Sequence, residues 1–291
     1  MLRLVLPKGS LEKATLELFA AADLAVVRRS DIDYRAEIDD ERVAEVRILR
    51  PQEIPRYVAD GVFDLGITGR DWIEETGAVV VSLGELAYSK VSANPVRVVL
   101  AVAQDSAVTR AAELPSGSRV STEYPELTRR ALEREGVHAD IRLSYGATEA
   151  KIPDIADAVV EITETGRALA AAGLRIVETL LVSRTELIAN PAAADDPKRR
   201  LAMDHLMTLL QGALEARGKV LLKLNVSAER LADVVSVLPA MKAPTVSELS
   251  GQGGFAVETV VAKDSVNVLI PALKDRGATD IIELPLSKIV H

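Results

Sequence analysis

The chain has 291 residues, 48% of them apolar, so it is long enough for more than one hydrophobic core and we expect two or three domains. Its net charge of −8 argues against a general nucleic-acid or membrane binder. No apolar run approaches the ~18 residues that a membrane span needs. The absence of cysteine excludes disulfides and thiolate chemistry, and a reducing cytoplasm is the expected setting.

Histidine is also scarce, with His138, His205 and His291 scattered along the chain. No pair of them has metal-ligand spacing, and a histidine-based catalytic triad has no obvious place. Any metal is therefore expected to be a magnesium ion that arrives with a phosphorylated substrate.

Short β-branched runs alternate with helix-like stretches along the first 165 or so residues. Strands are predicted at 2–6, 45–50, 63–69, 97–103, 119–125, 140–146 and 157–163. Ser10 is a candidate helix cap, and Pro51 is expected to start a helix. Because several of these strands are almost continuously apolar, the rhythm predicts an α/β fold with a mainly parallel sheet covered by helices.

Residues 174–190 are predicted to form two strands without an intervening helix. Such a pair is expected to carry the chain back to the first lobe, which makes the first two lobes discontinuous with a cleft between them. The segment 190–200 is predicted to be a polar, proline-bounded linker. After Gly218 the order β-α-β-β-α-β within about seventy residues predicts a ferredoxin-like domain.

The segment DAVVEITETGRAL at 157–169 is where a predicted strand turns into a helix. The amides from Thr163 to Gly166, together with the helix dipole, favour an anion at such a turn. Gly166 permits a positive φ and close approach to a phosphate. The acids of the segment repel phosphate, so they are expected to accept from ribose hydroxyls or to order a hydrated Mg²⁺. A capped turn with solvated acids is an equally good interpretation of this segment alone.

Four other predicted strand ends carry cationic, hydroxyl or glycine residues. These residues are Lys8 beside a glycine turn, Gly69 and Asp71 in GITGRDW, Thr122 and Tyr124 in STEYPELTRR, and Arg50 before Pro51. Each has an ordinary explanation as a surface cation, helix start or core aromatic. Because α/β clefts bind ligands at the carboxyl ends of strands, the convergence indicates a cleft for a phosphorylated small molecule. The sequence has no P-loop and no G-x-S-x-G, and its Gly-Gln-Gly-Gly at 251–254 is interpreted as a hairpin loop.

The chain resembles the long form of the ATP phosphoribosyltransferase family, the first enzyme of histidine biosynthesis. The resemblance rests on LPKGSL, LRPQEIPRYVADGVFDLGITGRD, STEYPELTRR, GATEA, DAVVEITETGRAL and the C-terminal β-α-β-β-α-β unit. It departs from the family pattern at Glu161, where Asp is expected, and at Ala168, where Thr is expected. The segment between Glu149 and Asp157 is also one residue short.

The resemblance implies two catalytic lobes similar to periplasmic binding proteins, followed by a ferredoxin-like, ACT-like regulatory domain. The implied first lobe comprises residues 1–92 and 180–200, and the implied second lobe comprises residues 93–179. A linker helix and the regulatory domain follow at 201–291. The implied reaction joins N1 of the adenine of ATP to C1 of phosphoribosyl pyrophosphate, with Mg²⁺ as cofactor and pyrophosphate as leaving group. Implied partners are histidine and AMP as inhibitors and further copies of the chain in a dimer or hexamer.

The resemblance also implies a set of site residues. Implied catalytic residues are Lys8, Arg50 and Glu161. Residues implied to bind phosphoribosyl pyrophosphate are Asp157, Glu161, Thr163, Glu164, Thr165, Gly166, Arg167, Ala168 and Leu169. Residues implied to bind the nucleotide are Gly9, Gly69, Asp71, Thr122, Tyr124 and Glu149. Implied histidine contacts are Asn225, Met241 and Thr245, and no metal ligand is assigned.

A non-enzymatic binding or sensor protein is the rival interpretation. A two-lobed cleft with anion-ready strand ends suits a receptor for a small phosphorylated ligand equally well on physical grounds. The sequence shows no export signal and no helix-turn-helix with a basic face, which counts against a periplasmic receptor and a transcriptional sensor.

Overall fold

The computed structural model describes residues 1–30, 33–88, 95–239, 243–251 and 253–291. These residues form two compact units, Met1–Met207 and Thr208–His291. Within the described ranges, none of the helices combines the length and the apolar character needed to cross a bilayer.

The first unit contains twelve strands and seven α-helices among its described residues. The strands are β1 Leu2–Pro7, β2 Val26–Val27, β3 Arg35–Ile38, β4 Val43–Leu49, β5 Leu65–Gly69, β6 Val81–Leu86, β7 Val96–Ala103, β8 Arg119–Thr122, β9 Asp140–Leu143, β10 Ala158–Thr163, β11 Leu174–Ser183 and β12 Thr185–Ala189. The helices are α1 Glu12–Ala21, α2 Ile54–Ala59, α3 Arg70–Thr76, α4 Pro125–Arg134, α5 Arg167–Ala171, α6 Pro191–Asp195 and α7 Pro197–Ala216, the last of which continues into the second unit.

Two sheets divide the first unit into two lobes. Lobe I is built on a seven-stranded sheet with the order β2-β3-β4-β1-β5-β12-β6, and lobe II on a five-stranded sheet with the order β11-β7-β10-β8-β9. The apolar runs that predicted β1, β5, β7 and β10 are confirmed as strands buried in these sheets. The short and more polar β2, β3 and β6 were not predicted.

The expectation of mainly parallel sheets is wrong. In lobe I, β1 pairs in parallel with β4 and β5, but β12 runs antiparallel to both β5 and β6. In lobe II, β10 is parallel to β8 but antiparallel to β7. A continuous apolar run reports that both faces of a strand are buried, and it does not report the direction of the neighbouring strands.

The two strands predicted within 174–190 are present, and they connect the lobes. β11 belongs to lobe II and ends at Ser183, while β12 begins at Thr185 and belongs to lobe I. The first unit is therefore two-lobed and discontinuous, as predicted. The predicted boundary between 179 and 180 falls inside β11, so lobe II extends to Ser183.

The segment 190–200 is helical and not a linker. Asn190 caps α6, since its side chain accepts a hydrogen bond from the amide of Ala193, and Pro191 occupies the first turn. Pro197 is the first residue of the 20-residue helix α7. Both prolines stand where a helix tolerates them because an N1 residue needs no intrahelical N–H partner.

The second unit has the predicted ferredoxin-like order. Its elements are β13 Lys219–Ser227, α8 Leu231–Val235, β14 Thr245–Glu248, β15 Gly254–Ala262, α9 Val266–Asp275 and β16 Thr279–Pro285. The strands form an antiparallel sheet with the order β14-β15-β13-β16. One sheet face, represented by Leu222, Leu224 and Val257, packs with Leu269 and Leu273 of α9 to form the core.

Candidate functional site

A cavity of about 350 Å³, called the cleft below, opens inside the first unit. Gly69, Asp71 and Trp72 line it from lobe I, whereas Tyr124 and Thr163 line it from lobe II. Other lining residues include Ser10, Leu11, Pro51, Gln52, Glu123, Ile162, Glu164 and Ser183–Thr185. The predicted cleft at strand ends is therefore present, and its size suits a small ligand.

The chain bends sharply between β10 and α5. The hydroxyl oxygen of Thr163 accepts a hydrogen bond from the amide of Gly166 at 2.8 Å, and Thr165 accepts one from Arg167 at 3.4 Å. Gly166 has a φ of 76°, which lies in the left-handed region that glycine tolerates. A hydroxyl that accepts from an amide keeps its own O–H, so Thr163 and Thr165 can still donate to an anion.

The predicted phosphate-loop residues divide into three groups. Thr163 and Glu164 line the cleft. Thr165, Arg167 and Ala168 are exposed next to it, and Leu169 is buried with Val99 and Leu174 in the core behind the bend. Leu169 therefore offers a ligand no side chain.

The structure does not bring Asp157 into this group. Asp157 precedes β10 and so lies at the amino end of the strand, six residues before the bend begins at Thr163. Its carboxylate forms an ion pair with Arg119 at 2.7 Å, and this ion pair and its hydrogen bonds lower its pKa. We correct the prediction for Asp157 because the two ends of a six-residue strand are about 17 Å apart.

Glu161 lies near the carboxyl end of β10 and is half-buried. Burial raises the pKa of its carboxyl group, and the nearby charges of Glu123 and Glu149 act in the same direction. These three acids face one edge of lobe II. Within the described parts of the chain, no three acidic or histidine side chains are arranged to hold a metal ion.

Asp71 is buried at the start of α3, with 3% of its surface exposed. Its carboxyl group accepts hydrogen bonds from the hydroxyls of Ser183 at 2.5 Å and Tyr124 at 2.9 Å, both from lobe II. Burial raises the pKa of Asp71 above its ordinary value, although these two hydrogen bonds act against the rise. Gly69 makes room for this arrangement, because a Cβ at position 69 would lie 2.1 Å from the Asp71 carboxylate.

Tyr124 is 2% exposed, and its ring packs against Trp72 with 4.5 Å between ring centroids. Burial and the neighbouring Asp71 raise its pKa well above the ordinary value. The hydroxyl of Thr122 is fully buried and accepts from the amide of Tyr124, so Thr122 shapes the turn and does not line the cleft. The predicted role of Thr122 in placing the nucleotide would therefore act through the position of Tyr124.

Lys8 and Arg50 directly follow two neighbouring strands of the lobe I sheet, β1 and β4. The parallel register pairs Pro7 with Leu49, which places the next residue of each strand at the same sheet edge. The Lys8 ammonium sits 4.1 Å from the centroid of the Tyr34 ring, and Arg50 is exposed. Gly9, with a φ of 93°, turns the chain toward Ser10 and Leu11, which line the cleft.

The predicted effector residues lie in the second unit. Asn225 on β13 pairs with Ala256, and Thr245 on β14 pairs with Glu258. Both therefore lie on the sheet face opposite the core, with one strand between them. The amide of Asn225 donates to Asp280 at 3.0 Å. Met241 lies outside the described residues.

Sequence reasoning missed Ser183, Trp72 and Glu123 as cleft residues. Trp72 and Glu123 are sequence neighbours of predicted site residues, so extending the predicted strand ends by one residue would have included them. Nothing local indicates Ser183, because its position depends on which strand β11 pairs with and where it leaves the sheet.

The fold and the cleft define a class: a two-lobed α/β protein with a ligand-sized cleft between its lobes, followed by a ferredoxin-like domain. Two family profiles match the chain, that of ATP phosphoribosyltransferase over residues 50–212 and that of the HisG C-terminal domain over residues 216–288. The chain belongs to the ATP phosphoribosyltransferase family, and the C-terminal match makes it a long-form member.

Similar proteins support this assignment over the whole length. The ATP phosphoribosyltransferase of Pelotomaculum thermopropionicum is 47% identical over 289 residues, and that of Desulforudis audaxviator is 48% identical over 291 residues, with 99% of each chain covered. A chain of the ATP phosphoribosyl transferase (HisG:HisZ) complex from Thermotoga maritima is 28% identical with a TM-score of 0.63, covering 74% of this chain and 99% of that one. These relatives favour the enzyme over the non-enzymatic binding protein.

We expect Asp71→Asn to change the pH dependence of stability. Because the folded-state pKa of Asp71 is raised, its contribution to stability is present at low pH and decreases as the pH rises through that value. The variant lacks this titration, so its melting temperature relative to the parent chain should increase from about pH 4, the ordinary pKa of an aspartate, to about pH 7. Thermal unfolding at both pH values measures this difference, and a constant difference would contradict the assignment.

Proposed function

We propose that this chain condenses ATP with phosphoribosyl pyrophosphate to give N1-(5-phosphoribosyl)-ATP and pyrophosphate, the first step of histidine biosynthesis. The whole-chain similarity to ATP phosphoribosyltransferases is the observation that carries the proposal. The cleft supports it, since anion-ready groups from both lobes surround a space for small molecules.

The reaction needs alignment more than an enzymic nucleophile. N1 of the adenine attacks C1 of the ribose, and the bond from C1 to the pyrophosphate oxygen breaks. Holding both substrates in one cleft is worth up to ~7–11 kcal/mol in favourable cases. Cationic groups that face the leaving pyrophosphate stabilise the charge that develops on it.

The bend at 163–166 is the proposed seat of the 5-phosphate. The hydroxyls of Thr163 and Thr165 supply O–H donors, and Gly166 allows the close approach of the backbone. Arg167 is exposed at the start of α5 and supplies a positive charge, while Ala168 contributes only its backbone. Glu161 lies on the ribose side, where a carboxylate accepts hydrogen bonds from ribose hydroxyls.

Lys8 and Arg50 are proposed to meet the phosphate oxygens of pyrophosphate or of the triphosphate. They follow neighbouring strands of the lobe I sheet, at the edge where β1 and β4 end. On the nucleotide side, Gly69, Asp71 and Tyr124 form the inner wall of the cleft. Glu149 lies near Glu161 and is assigned to the edge of this region.

Mg²⁺ is proposed to enter with the substrate phosphates. The described residues offer no set of three metal ligands, and magnesium is commonly held by one or two carboxylates together with substrate oxygens. The acids at the lobe II edge provide such carboxylates. The protein residues then need only to orient the phosphates that the ion neutralises.

The second unit is proposed to bind free histidine and to inhibit the enzyme through a change between dimer and hexamer, with AMP as a further inhibitor. Asn225 and Thr245 share the open face of its sheet, which makes them candidates for an effector contact. Coupling of this kind is typically ~1–3 kcal/mol.

The activity itself is tested with ATP, phosphoribosyl pyrophosphate and Mg²⁺. We expect formation of the N1-ribosylated product, followed by ultraviolet absorbance, together with stoichiometric release of pyrophosphate. Binding of both compounds without pyrophosphate release would favour the binding-protein alternative.

Gly166→Ala tests the phosphate bend. The alanine would have to adopt a φ near 76°, which is strained for a residue with a side chain, and its Cβ would lie 3.1 Å from the end of the Ile176 side chain. We expect the KM for phosphoribosyl pyrophosphate to rise at least about tenfold, equivalent to ~1.4 kcal/mol of binding free energy. Gly173→Ala is the matched control, since Gly173 has a φ of 73° at the other end of α5 and nothing within 4 Å of the new Cβ.

Both glycine variants should lose a similar ~1–2 kcal/mol of stability from the left-handed backbone. Only Gly166→Ala should raise the KM. Equal KM values in the two variants would remove the bend from the proposed site.

Asn225→Ala tests the effector assignment. We expect the histidine concentration for half-inhibition to rise about tenfold while uninhibited activity is unchanged, which is within the usual range of allosteric coupling. Lys274→Ala, an exposed change on α9 of the same unit, is the control. Inhibition that is equally sensitive in both variants would exclude Asn225.

A further inference from the structure

Helix α3 of lobe I packs against lobe II. This contact, formed by Asp71, Trp72, Glu74 and Glu75 with residues of lobe II, is called the joint. Trp72 packs against the lobe II core and against the ring of Tyr124. The Asp71 carboxylate accepts from Tyr124 and Ser183. In the last turn of α3, the carbonyl of Glu74 accepts a hydrogen bond from the side chain of Arg130 on α4. One short helix thus contacts two elements of the other lobe, β11 and α4, together with the residue that precedes α4.

The amino end of α4 has no cap of its own. Tyr124 occupies the cap position without a side-chain hydrogen bond, and Pro125 has no N–H to donate. The next two amides, those of Glu126 and Leu127, donate to the two carboxylate oxygens of Glu75 on α3, at 3.1 Å and 2.8 Å.

This arrangement completes the first turn of α4. The amide of Thr128 donates to the carbonyl of Tyr124 at 3.0 Å, so Glu75 supplies the acceptors that the local sequence lacks. A carboxylate at a helix amino end also interacts favourably with the helix dipole. Charge-assisted bonds of this kind are stronger than neutral ones.

Residues of the joint line the cleft from both lobes. Glu123 and Tyr124, which directly precede α4, line one wall, and Asp71 and Trp72, on α3, line the other. The capping bond from Glu75 therefore joins the helices that carry the two walls. Glu75 does not line the cleft and touches no predicted substrate group.

We propose that Glu75 is a positioning residue that sets the spacing between the nucleotide-side walls of the cleft by capping α4 from the opposite lobe. The kinetic part of this inference rests on the proposed function, whereas its structural part stands on the joint alone. At the start of α3, Asp71 accepts a hydrogen bond from Tyr124 at the wall of the cleft. Near the end of α3, Glu75 accepts hydrogen bonds from α4 outside the cleft.

The chain contains a single tryptophan, Trp72, which lies inside the joint. Its fluorescence therefore reports on the joint without any substrate. In Glu75→Ala we expect the emission to shift to longer wavelength and quenching by acrylamide to increase, because water gains access when the walls separate. Glu126→Ala is the matched control: the exposed carboxylate of Glu126, in the first turn of α4, pairs with Arg129, and the variant keeps the backbone amide that donates to Glu75.

The kinetic arm separates the two substrates. In Glu75→Ala we expect the KM for ATP to rise at least about fivefold, comparable to the loss of one or two net hydrogen bonds. The KM for phosphoribosyl pyrophosphate should change less than about twofold, since the bend at 163–166 keeps its own internal hydrogen bonds. Glu126→Ala should leave both values unchanged.

Glu75→Gln provides a milder change, because its amide oxygen still accepts one of the two N–H groups. It should alter the fluorescence and the KM for ATP in the same direction as Glu75→Ala, but less. If the alanine variant does not fold, the glutamine variant decides the question. Unchanged Trp72 emission and quenching in folded Glu75 variants would overturn the proposal.

The fluorescence and kinetic measurements together also test the role of Glu75 separately from the proposed enzymatic activity. If the parent chain does not ribosylate ATP but Trp72 responds in the Glu75 variants alone, the proposed function fails and the joint stands. If the enzyme is active and Glu75→Ala lowers only thermal stability, with both KM values and Trp72 emission unchanged, the joint does not position the cleft.

Discussion

The cleft depends on how the buried carboxyl group of Asp71 is satisfied. Asp71 belongs to lobe I, yet the two hydroxyls that donate to it, from Tyr124 and Ser183, belong to lobe II. A buried carboxyl group without partners is costly, and here neither lobe satisfies it alone. The same group lines the cleft, so the contact that joins the lobes is part of the surface that a ligand meets.

The chain path explains why this contact forms at the cleft. β11 ends at Ser183 in one sheet and β12 begins at Thr185 in the other, so a single residue separates the two sheets. The carbonyl of Arg184 accepts from the amide of Arg70, and Thr185 donates to the carbonyl of Tyr88. The crossing is therefore held against the start of α3, which brings Ser183 to Asp71.

Strands were predicted correctly where an apolar run reports burial. They were missed where a strand forms only because it pairs with a neighbouring strand. The runs 97–103 and 157–163 are so apolar that their strands were predicted to within one residue. The four-residue β3, with two charged side chains, has no such signal and forms because β4 lies beside it. The proline-bounded segment after Asn190 was misjudged because proline starts helices as readily as it ends them.

Site prediction followed the same division. The rule that ligands bind at the carboxyl ends of strands placed Asp71 and Thr163 beside one cleft. The same rule argues against Asp157, which precedes its strand and was included with the other acids of the segment 157–169. Ser183 and Glu75 act on groups more than forty residues away in the sequence, so no local pattern indicates them.

Charged residues near the proposed site are distributed unevenly between the lobes. Lys8 and Arg50 belong to lobe I, whereas the acids Glu123, Glu149 and Glu161 and the cation Arg167 belong to lobe II. Under the proposed function, two polyanionic substrates enter a protein whose net charge is already −8. The lobe I cations then favour the pyrophosphate or the triphosphate, whereas in lobe II the hydroxyls of the bend and Arg167 receive the 5-phosphate and the acids favour ribose hydroxyls or substrate-borne magnesium. This distribution orients a ligand that is anionic at both ends and hydroxylated along its sugar, because a ribose turned away from the acids would leave phosphate against carboxylate.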